Sequence, residues 1–203
     1  MYYIILDEVQ LLDEFEDVLN SFLHIRNADV YVTGSNSKFL SSDVITEFRG
    51  RGDEIRIYPL SFSEFMSVYD GTVDEGWDDY FNYGGLPLVL SCPTPEEKSE
   101  YLISQFKNVY ISDLIDRHRI NNKEEFDELL DILASSIGSF TNPLKLVNTF
   151  KSVKGKVISD KTLKNYLDYL IDSFLISRAK RYDIKGKRYI NSPAKYYFED
   201  IGL

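Results

Sequence analysis

The first sixty residues alternate between short apolar runs and amphipathic segments. Tyr2–Leu6 is a continuous apolar, β-rich run that ends in two acids, a pattern that predicts a buried parallel strand. Residues 29–33 and 54–58 predict a second and a third strand, and residues 11–23 and 38–45 predict the helices between them. This strand–helix alternation is typical of an α/β domain with a parallel sheet.

The pattern becomes mainly helical after Pro59. Ser61 and Glu64 have the spacing of a capping box, which predicts a short helix. Further helices are predicted at residues 77–83, 95–116 and 122–137, and Gly138 ends the last of them.

The segment from residue 139 onward predicts a helix–turn–helix followed by a hairpin. Asn142 and Pro143 begin one helix, and Ser159 caps the next. Residues 174–182 and 187–198 are β-like. This order is the outline of a winged helix.

The fold class expected is therefore α/β plus mainly α, in three parts. Residues 1–59 would form an α/β part with a partial parallel sheet. Residues 60–138 would form a helical lid or linker, and residues 139–203 a winged-helix-like domain.

Composition excludes several classes of protein. The chain has 203 residues, of which 43% are hydrophobic, as in a folded globular protein. The sequence has no apolar run long enough to span a membrane, and its start lacks the features of a signal peptide. A single cysteine and two distant histidines exclude a disulfide scaffold and a multi-cysteine zinc site. We expect a soluble, cytoplasmic protein.

The net charge of −10 is unevenly distributed. Residues 1–100 hold 6 Lys and Arg against 20 Asp and Glu, whereas residues 139–203 hold 13 Lys and Arg against 6 Asp and Glu. Nucleic-acid binding therefore has to be judged on the C-terminal segment by itself, and not on the whole chain.

The most specific local motif is the run from Tyr3 to Glu8, four apolar residues followed by Asp7 and Glu8. It has the order of a Walker B strand, in which the aspartate holds Mg²⁺ and the glutamate polarises the attacking water. The alternative is a buried strand that ends in two solvated acids.

Polar and basic residues follow the next strands. Thr33, Ser35 and Asn36 end the second strand, where P-loop ATPases place a residue that senses the γ-phosphate. Arg49 and Arg51 are flanked by glycines ahead of the predicted third strand, a setting suited to stabilising phosphoryl charge. The alternatives are an ordinary capped turn and an exposed basic loop.

Several segments together resemble one family, the prokaryotic AAA-type P-loop ATPases of the archaeal-ATPase-like group. They are the segments 3–10, 33–37 and 49–51, the PLSFSEF run at 59–65, the YGGLP run at 83–87 and the KYYFEDIGL run at 195–203. The resemblance implies that residues 1–59 are the C-terminal part of a P-loop ATPase core, and that the full-length protein binds ATP and Mg²⁺.

The resemblance also implies a role for each matching residue. Asp7 and Glu8 would be the Mg²⁺-binding and water-activating residues, and Ser35 would be the sensor. Arg51 or Arg49 would stabilise charge, and Thr33 and Asn36 would contact the nucleotide.

The sequence lacks the glycine-rich Walker A loop of that family, which cradles the phosphates and supplies a lysine to them. We therefore expect the 203 residues to be a fragment that does not hydrolyse ATP and binds no cofactor by itself. Its expected partners are the missing Walker A segment and, because such a domain often follows in the resembling proteins, a C-terminal nuclease-like domain.

The basic C-terminal segment predicts contacts with DNA phosphates. The candidate residues are Lys161 and Lys164 on the second helix, and Arg178, Lys180, Arg181, Lys185, Lys187 and Arg188 around the hairpin. The alternative is a winged helix that packs against its own ATPase domain or a partner. Three functions thus remain open: an ATPase coupled to the winged helix, a DNA-binding module and a non-enzymatic interaction scaffold.

Overall fold

The computed structural model describes residues 1–34, 52–155, 158–181 and 193–203. These residues form two compact units. The first consists of residues 1–56 with 172–174, and the second of residues 57–171 with 175–203. Each unit is described by itself below.

The first unit contains a parallel strand pair joined by a helix. Its elements in chain order are β1 (Tyr2–Leu6), a 3₁₀ turn (Val9–Leu11), α1 (Phe15–Phe22) and β2 (Ala28–Val32). The strands pair in parallel from Tyr2 opposite Ala28 to Leu6 opposite Val32. The first two predicted strands and the parallel arrangement are confirmed.

Only one face of this sheet is covered. Val9, Phe15 and Leu19 are buried and pack against Leu6, Phe22, Val30 and Val32. On the opposite face Tyr3, Ile5 and Tyr31 are more than half exposed. The expectation of a strand buried on both faces is therefore wrong, because α1 covers a single face and no other described element covers the second.

The predicted third strand at residues 54–58 does not form in the described structure, where this segment has no regular secondary structure. Ile55 is 75% exposed and Ile57 is 84% exposed. Alternating apolar residues form a strand only when a neighbouring strand binds their backbone, and no described strand pairs with this segment. The predicted helix at 38–45 lies outside the described residues.

The second unit is mainly helical. Its elements in chain order are α2 (Phe62–Val68), α3 (Val73–Tyr83), a 3₁₀ turn (Pro87–Ser91), α4 (Pro95–Ser104), a π-helical segment (Gln105–Ile111), α5 (Ser112–His118), α6 (Lys123–Ser135), α7 (Pro143–Lys154), α8 (Asp160–Asp172), β3 (Ile176–Ala179) and β4 (Lys195–Phe198). No helix in the described ranges is both long and apolar enough to span a bilayer.

Capping residues fix where the first helices begin. The predicted capping box of Ser61 and Glu64 is present at the start of α2. A second box, formed by Thr72 and Glu75, starts α3 four residues before the predicted helix at 77–83. Glu64 and Glu75 both have lowered pKa values because they accept hydrogen bonds from Ser61 and Thr72.

The C-terminal elements follow the predicted order of helix, turn, helix and hairpin strands. Gly155 ends α7 with a positive φ of 66°, and α8 follows. The strands β3 and β4 are antiparallel, from Ile176 opposite Phe198 to Ala179 opposite Lys195. An additional bridge joins Thr141 to Ala194. The predicted strands at 174–182 and 187–198 are shorter here, and residues 182–192 lie outside the described ranges.

One hydrophobic core extends through α5, α6, α7, α8 and the two strands. The largest of its fully buried side chains are Phe126, Phe150, Leu114, Leu129, Leu146, Leu163, Leu170, Leu175 and Ile176. Residues on both sides of Gly138 share this core. The predicted division into parts 1–59, 60–138 and 139–203 stays a prediction.

Asp200 connects the C-terminal end of this unit to the loop after α3. Its side chain is 3% exposed and accepts the backbone N–H groups of Gly85, at 2.7 Å, and Gly202, at 2.8 Å. Burial raises the pKa of this carboxyl, and the two backbone hydrogen bonds oppose that rise. The Gly85 carbonyl in turn accepts the N–H of Leu60 at 2.8 Å. Three segments singled out in the sequence, around residues 60, 85 and 200, therefore meet at one place.

This junction leaves no space for side chains on its glycines. A Cβ at Gly85 would overlap the Leu60 carbonyl oxygen, and one at Gly202 would overlap the Tyr83 carbonyl oxygen. A Cβ at Gly84 would overlap the Asp200 carboxylate, and Gly84 also has a positive φ of 75°. Close backbone approach, and not loop flexibility, explains the glycine pair.

We predict that Gly85→Ala lowers the free energy of unfolding by about 1–3 kcal/mol, because the new methyl group forces the two backbones apart. Gly52→Ala is the matched control, since a Cβ at Gly52 meets nothing within 4 Å. Urea unfolding of both variants measures the difference. Equal stability of the two variants would contradict the close approach.

Candidate functional site

Asp7 and Glu8 lie at the carboxyl end of β1. Asp7 is exposed and Glu8 is half-buried. Glu8 has a left-handed backbone conformation, with φ and ψ both at 47°, which is uncommon for a residue other than glycine. The chain therefore turns sharply after Asp7, so that Val9 is buried in the core while the Asp7 carboxylate stays accessible.

Thr33 follows β2 and binds the end of β1 through both its side chain and its backbone. Its hydroxyl donates a hydrogen bond to Asp7 Oδ1 and accepts the N–H of Glu8 at 3.2 Å. Its N–H donates to the carbonyl of Leu6 at 2.9 Å, and its carbonyl accepts the N–H of Val9 at 3.1 Å. Thr33 thus fixes the turn that presents Asp7 and Glu8.

The oxygens gathered here suit Mg²⁺ in their chemistry. A carboxylate and a hydroxyl are hard ligands, and Mg²⁺ in phosphate-processing sites takes one or two carboxylates together with phosphate and water. No group of three or more Asp, Glu, His or Cys in the described part of the chain could hold a metal by itself. Asp7 and the Thr33 hydroxyl therefore supply only part of the ligand set that a divalent cation needs.

The sequence also indicated other residues of this site. Ser35, Asn36, Arg49 and Arg51 lie outside the described residues. Thr33, one of the three polar candidates that follow the second strand, contacts Asp7.

The basic candidates are exposed where the structure describes them. Lys161 and Lys164 lie on α8, Arg178 lies on β3, and Lys180 and Arg181 follow β3. The opposite side of α8 is buried in the core through Leu163, Tyr166, Leu167 and Leu170. Lys185, Lys187 and Arg188 lie outside the described residues.

Sequence reasoning missed the role of Asp200. It noted the two motifs that contain Asp200 and Gly85 but did not connect them. A signal was present, since Asp200 precedes Gly202 by two residues, and aspartate side chains commonly accept the backbone N–H two residues on.

Comparison with family models divides the chain into two regions. Residues 74–203 match a family described as a domain of unknown function, DUF8612. The chain belongs to the DUF8612 family. Residues 1–66 match the model of an AAA domain, so they are an AAA-type, P-loop ATPase-like region. We call these two parts the AAA region and the DUF8612 region.

Two curated relatives are similar to most of the chain. An uncharacterized protein of Haemophilus influenzae is 34% identical over 206 residues, which cover 99% of this chain and 51% of that protein. An uncharacterized protein of Methanocaldococcus jannaschii is 28% identical over 193 residues, which cover 89% of this chain and 43% of that protein. The chain therefore spans about half the length of these relatives.

We predict that Thr33→Val lowers the free energy of unfolding by about 0.5–1.5 kcal/mol, because Asp7 and the Glu8 N–H both lose their contact with the hydroxyl. Thr33→Ser keeps the hydroxyl and is the matched control. Thermal unfolding of the two variants measures the effect. If valine and serine gave the same stability, the hydroxyl would have no positioning role.

Proposed function

We propose that this chain is the Walker B-containing and C-terminal part of an AAA-type ATPase. The observation that carries the proposal is the contact between Thr33 and Asp7 in the AAA region, at the shared carboxyl edge of two parallel strands. Ligands of open parallel sheets bind at this edge, and a Walker B acid has to be presented there.

Each residue has a distinct task in this proposal. Asp7 holds Mg²⁺, directly or through water, and Glu8 polarises the attacking water. Bound Mg²⁺ supplies charge neutralisation to the phosphates of ATP. Thr33 holds the Asp7 carboxylate and the Glu8 backbone in position, since its hydroxyl binds both. Ser35 and Asn36 sense the phosphate, and Arg49 or Arg51 stabilises its charge.

The phosphate-binding loop has to come from outside these 203 residues. The sequence contains no G-x-x-x-x-G-K-[S/T] motif, and a P-loop site depends on that loop for the phosphates. We therefore propose that the chain alone does not turn ATP over, and that activity belongs to a longer protein. The relatives, which are about twice as long, support this proposal.

The test is made in a longer protein that joins this segment to a Walker A loop. Glu8→Gln should keep ATP binding but lower hydrolysis by about 10²–10⁴-fold, because an amide cannot act as a general base. Asp7→Ala should also weaken Mg²⁺-dependent binding. Steady-state phosphate release and nucleotide binding measure the two effects.

Asp13→Asn is the control for this test, since Asp13 is an exposed acid outside the strand end. It should leave both activities unchanged. Hydrolysis that survived Glu8→Gln at the normal rate would rule out the Walker B assignment. Hydrolysis by the 203 residues alone, abolished by Glu8→Gln, would rule out the need for an external phosphate loop.

We propose a second function, DNA binding by the C-terminal part of the DUF8612 region. The observation that favours it is the set of five exposed cations on and after α8 and β3, within a helix–turn–helix and strand-pair arrangement. Such cations bind phosphates without reading bases, so the affinity should depend weakly on sequence and steeply on salt. Lys185, Lys187 and Arg188, which lie outside the described residues, add three cations to the same stretch of sequence.

Replacing Lys161 and Lys164 with alanine should make duplex binding less sensitive to salt. The slope of log K against log salt concentration should become shallower by up to about two, if both lysines contact phosphate. The matched control replaces Lys107 and Lys123, which are exposed lysines on other elements. Affinity for a duplex of arbitrary sequence is measured from low to physiological salt. Equal slopes for the two double variants would favour a winged helix that packs on protein.

A further inference from the structure

An exposed row of apolar side chains runs along α3. Val73, Trp77 and Phe81 are spaced four residues apart and are 63%, 51% and 64% exposed. Trp77 contacts Phe81, with ring centroids 6.3 Å apart, and meets the Phe62 ring edge-on at 5.1 Å. Residues at this spacing share one face of a helix. We call this surface the aromatic patch.

The aromatic patch lies in an acidic stretch of the chain. Between Arg56 and Lys98 the sequence holds eight Asp and Glu residues and no Lys or Arg. Asp74 and Asp78 are exposed on the same helix, each one residue from a member of the patch. A surface of this kind favours a partner that combines apolar side chains with cations, and it repels nucleic acid and anionic lipid.

The same unit carries a second exposed apolar surface of opposite charge. Ile137, Phe140 and Leu144 are 48%, 57% and 60% exposed around the start of α7. The sequence from Ile132 to Ser159 holds four lysines and no Asp or Glu. We call this surface the lysine patch.

Two lysines are held close to the apolar members of the lysine patch. Lys145 Nζ donates to the Phe140 carbonyl at 3.1 Å. Lys195 Nζ lies over the Phe140 ring, 4.9 Å from its centroid. Lys151 is exposed two turns along α7 from Leu144. Cations therefore border the apolar side chains on this surface, as acids do on the aromatic patch.

We propose that the aromatic patch of one copy of this chain binds the lysine patch of another. Each surface supplies three exposed apolar side chains, and their flanking charges are opposite, so desolvation and electrostatics favour the same pairing. The two surfaces do not cover each other within one chain, because both are exposed there. Charge disfavours pairing either patch with itself.

The contact joins two different surfaces, so it is heterologous, and each copy in a pair keeps one free patch, the aromatic patch on one copy and the lysine patch on the other. Association then proceeds head to tail to form a ring or a chain of copies. Three apolar anchors on each side make a small interface, for which a dissociation constant between about 10 µM and 1 mM is expected.

Sedimentation of the 203-residue chain over this concentration range tests the contact. The wild type should associate as its concentration rises, and its emission from Trp77, the one tryptophan, should shift to the blue. Reversing the acids with Asp74→Lys and Asp78→Lys should weaken association at least about tenfold, and so should reversing the cations with Lys145→Glu and Lys151→Glu. An equimolar mixture of these two double variants should associate again, because their two altered patches are complementary to each other and so are their two unaltered patches.

Two single variants distinguish this contact from nonspecific hydrophobic association. Phe81→Gln should weaken association about tenfold, the effect of losing an interface anchor. Leu11→Gln is the matched control, since Leu11 is 81% exposed in the first unit, and it should have no effect. Circular dichroism checks the fold of every variant.

Three outcomes would overturn the proposal. The wild type could remain monomeric over the whole range, the mixed variants could fail to associate although both are folded, or Leu11→Gln could weaken association as much as Phe81→Gln.

Discussion

The buried carboxylate of Asp200 is the constraint on which the arrangement of the helical unit depends. A charged group at 3% exposure is tolerated only where donors replace the lost water. Here the donors are the backbone N–H groups of Gly85 and Gly202. Because backbone donors cannot move independently of the chain, the loop after α3 and the C-terminal residues have to meet at a fixed separation.

The same constraint explains why the choice of residue type is limited in three segments that lie far apart in sequence. Tyr80 donates its hydroxyl to the Leu60 carbonyl at 2.9 Å, and Leu60 donates its N–H to Gly85. The N–H of Gly85 in turn donates to the Asp200 carboxylate. The segment before α2, the glycine pair and the C-terminal acid are thus parts of one hydrogen-bonded junction, whatever the protein does.

Local signals in the sequence predicted most of the elements, and long-range pairing decided the rest. Ser61 and Glu64 placed the start of α2 because a capping box is formed by neighbouring residues. The segment around Ile55 and Ile57 has the alternation of a strand, but a strand also needs a partner, which local sequence does not encode. The hydrogen bond from Thr33 to Asp7 joins residues that are 26 positions apart. From the sequence, only a group of polar candidates at one sheet edge could be predicted, and not this particular pair.

The Thr33 hydroxyl also limits how the proposed nucleotide site can work. A hydroxyl has one proton, which here is donated to Asp7, while its oxygen accepts the Glu8 N–H. It cannot donate to a phosphate oxygen and to Asp7 at the same time. The Asp7 carboxylate has a second oxygen, Oδ2, so it could hold a cation without giving up the hydrogen bond from Thr33. In this geometry Thr33 would therefore position Asp7 and the Glu8 backbone, and contact with the phosphate would fall to other residues of the proposed site.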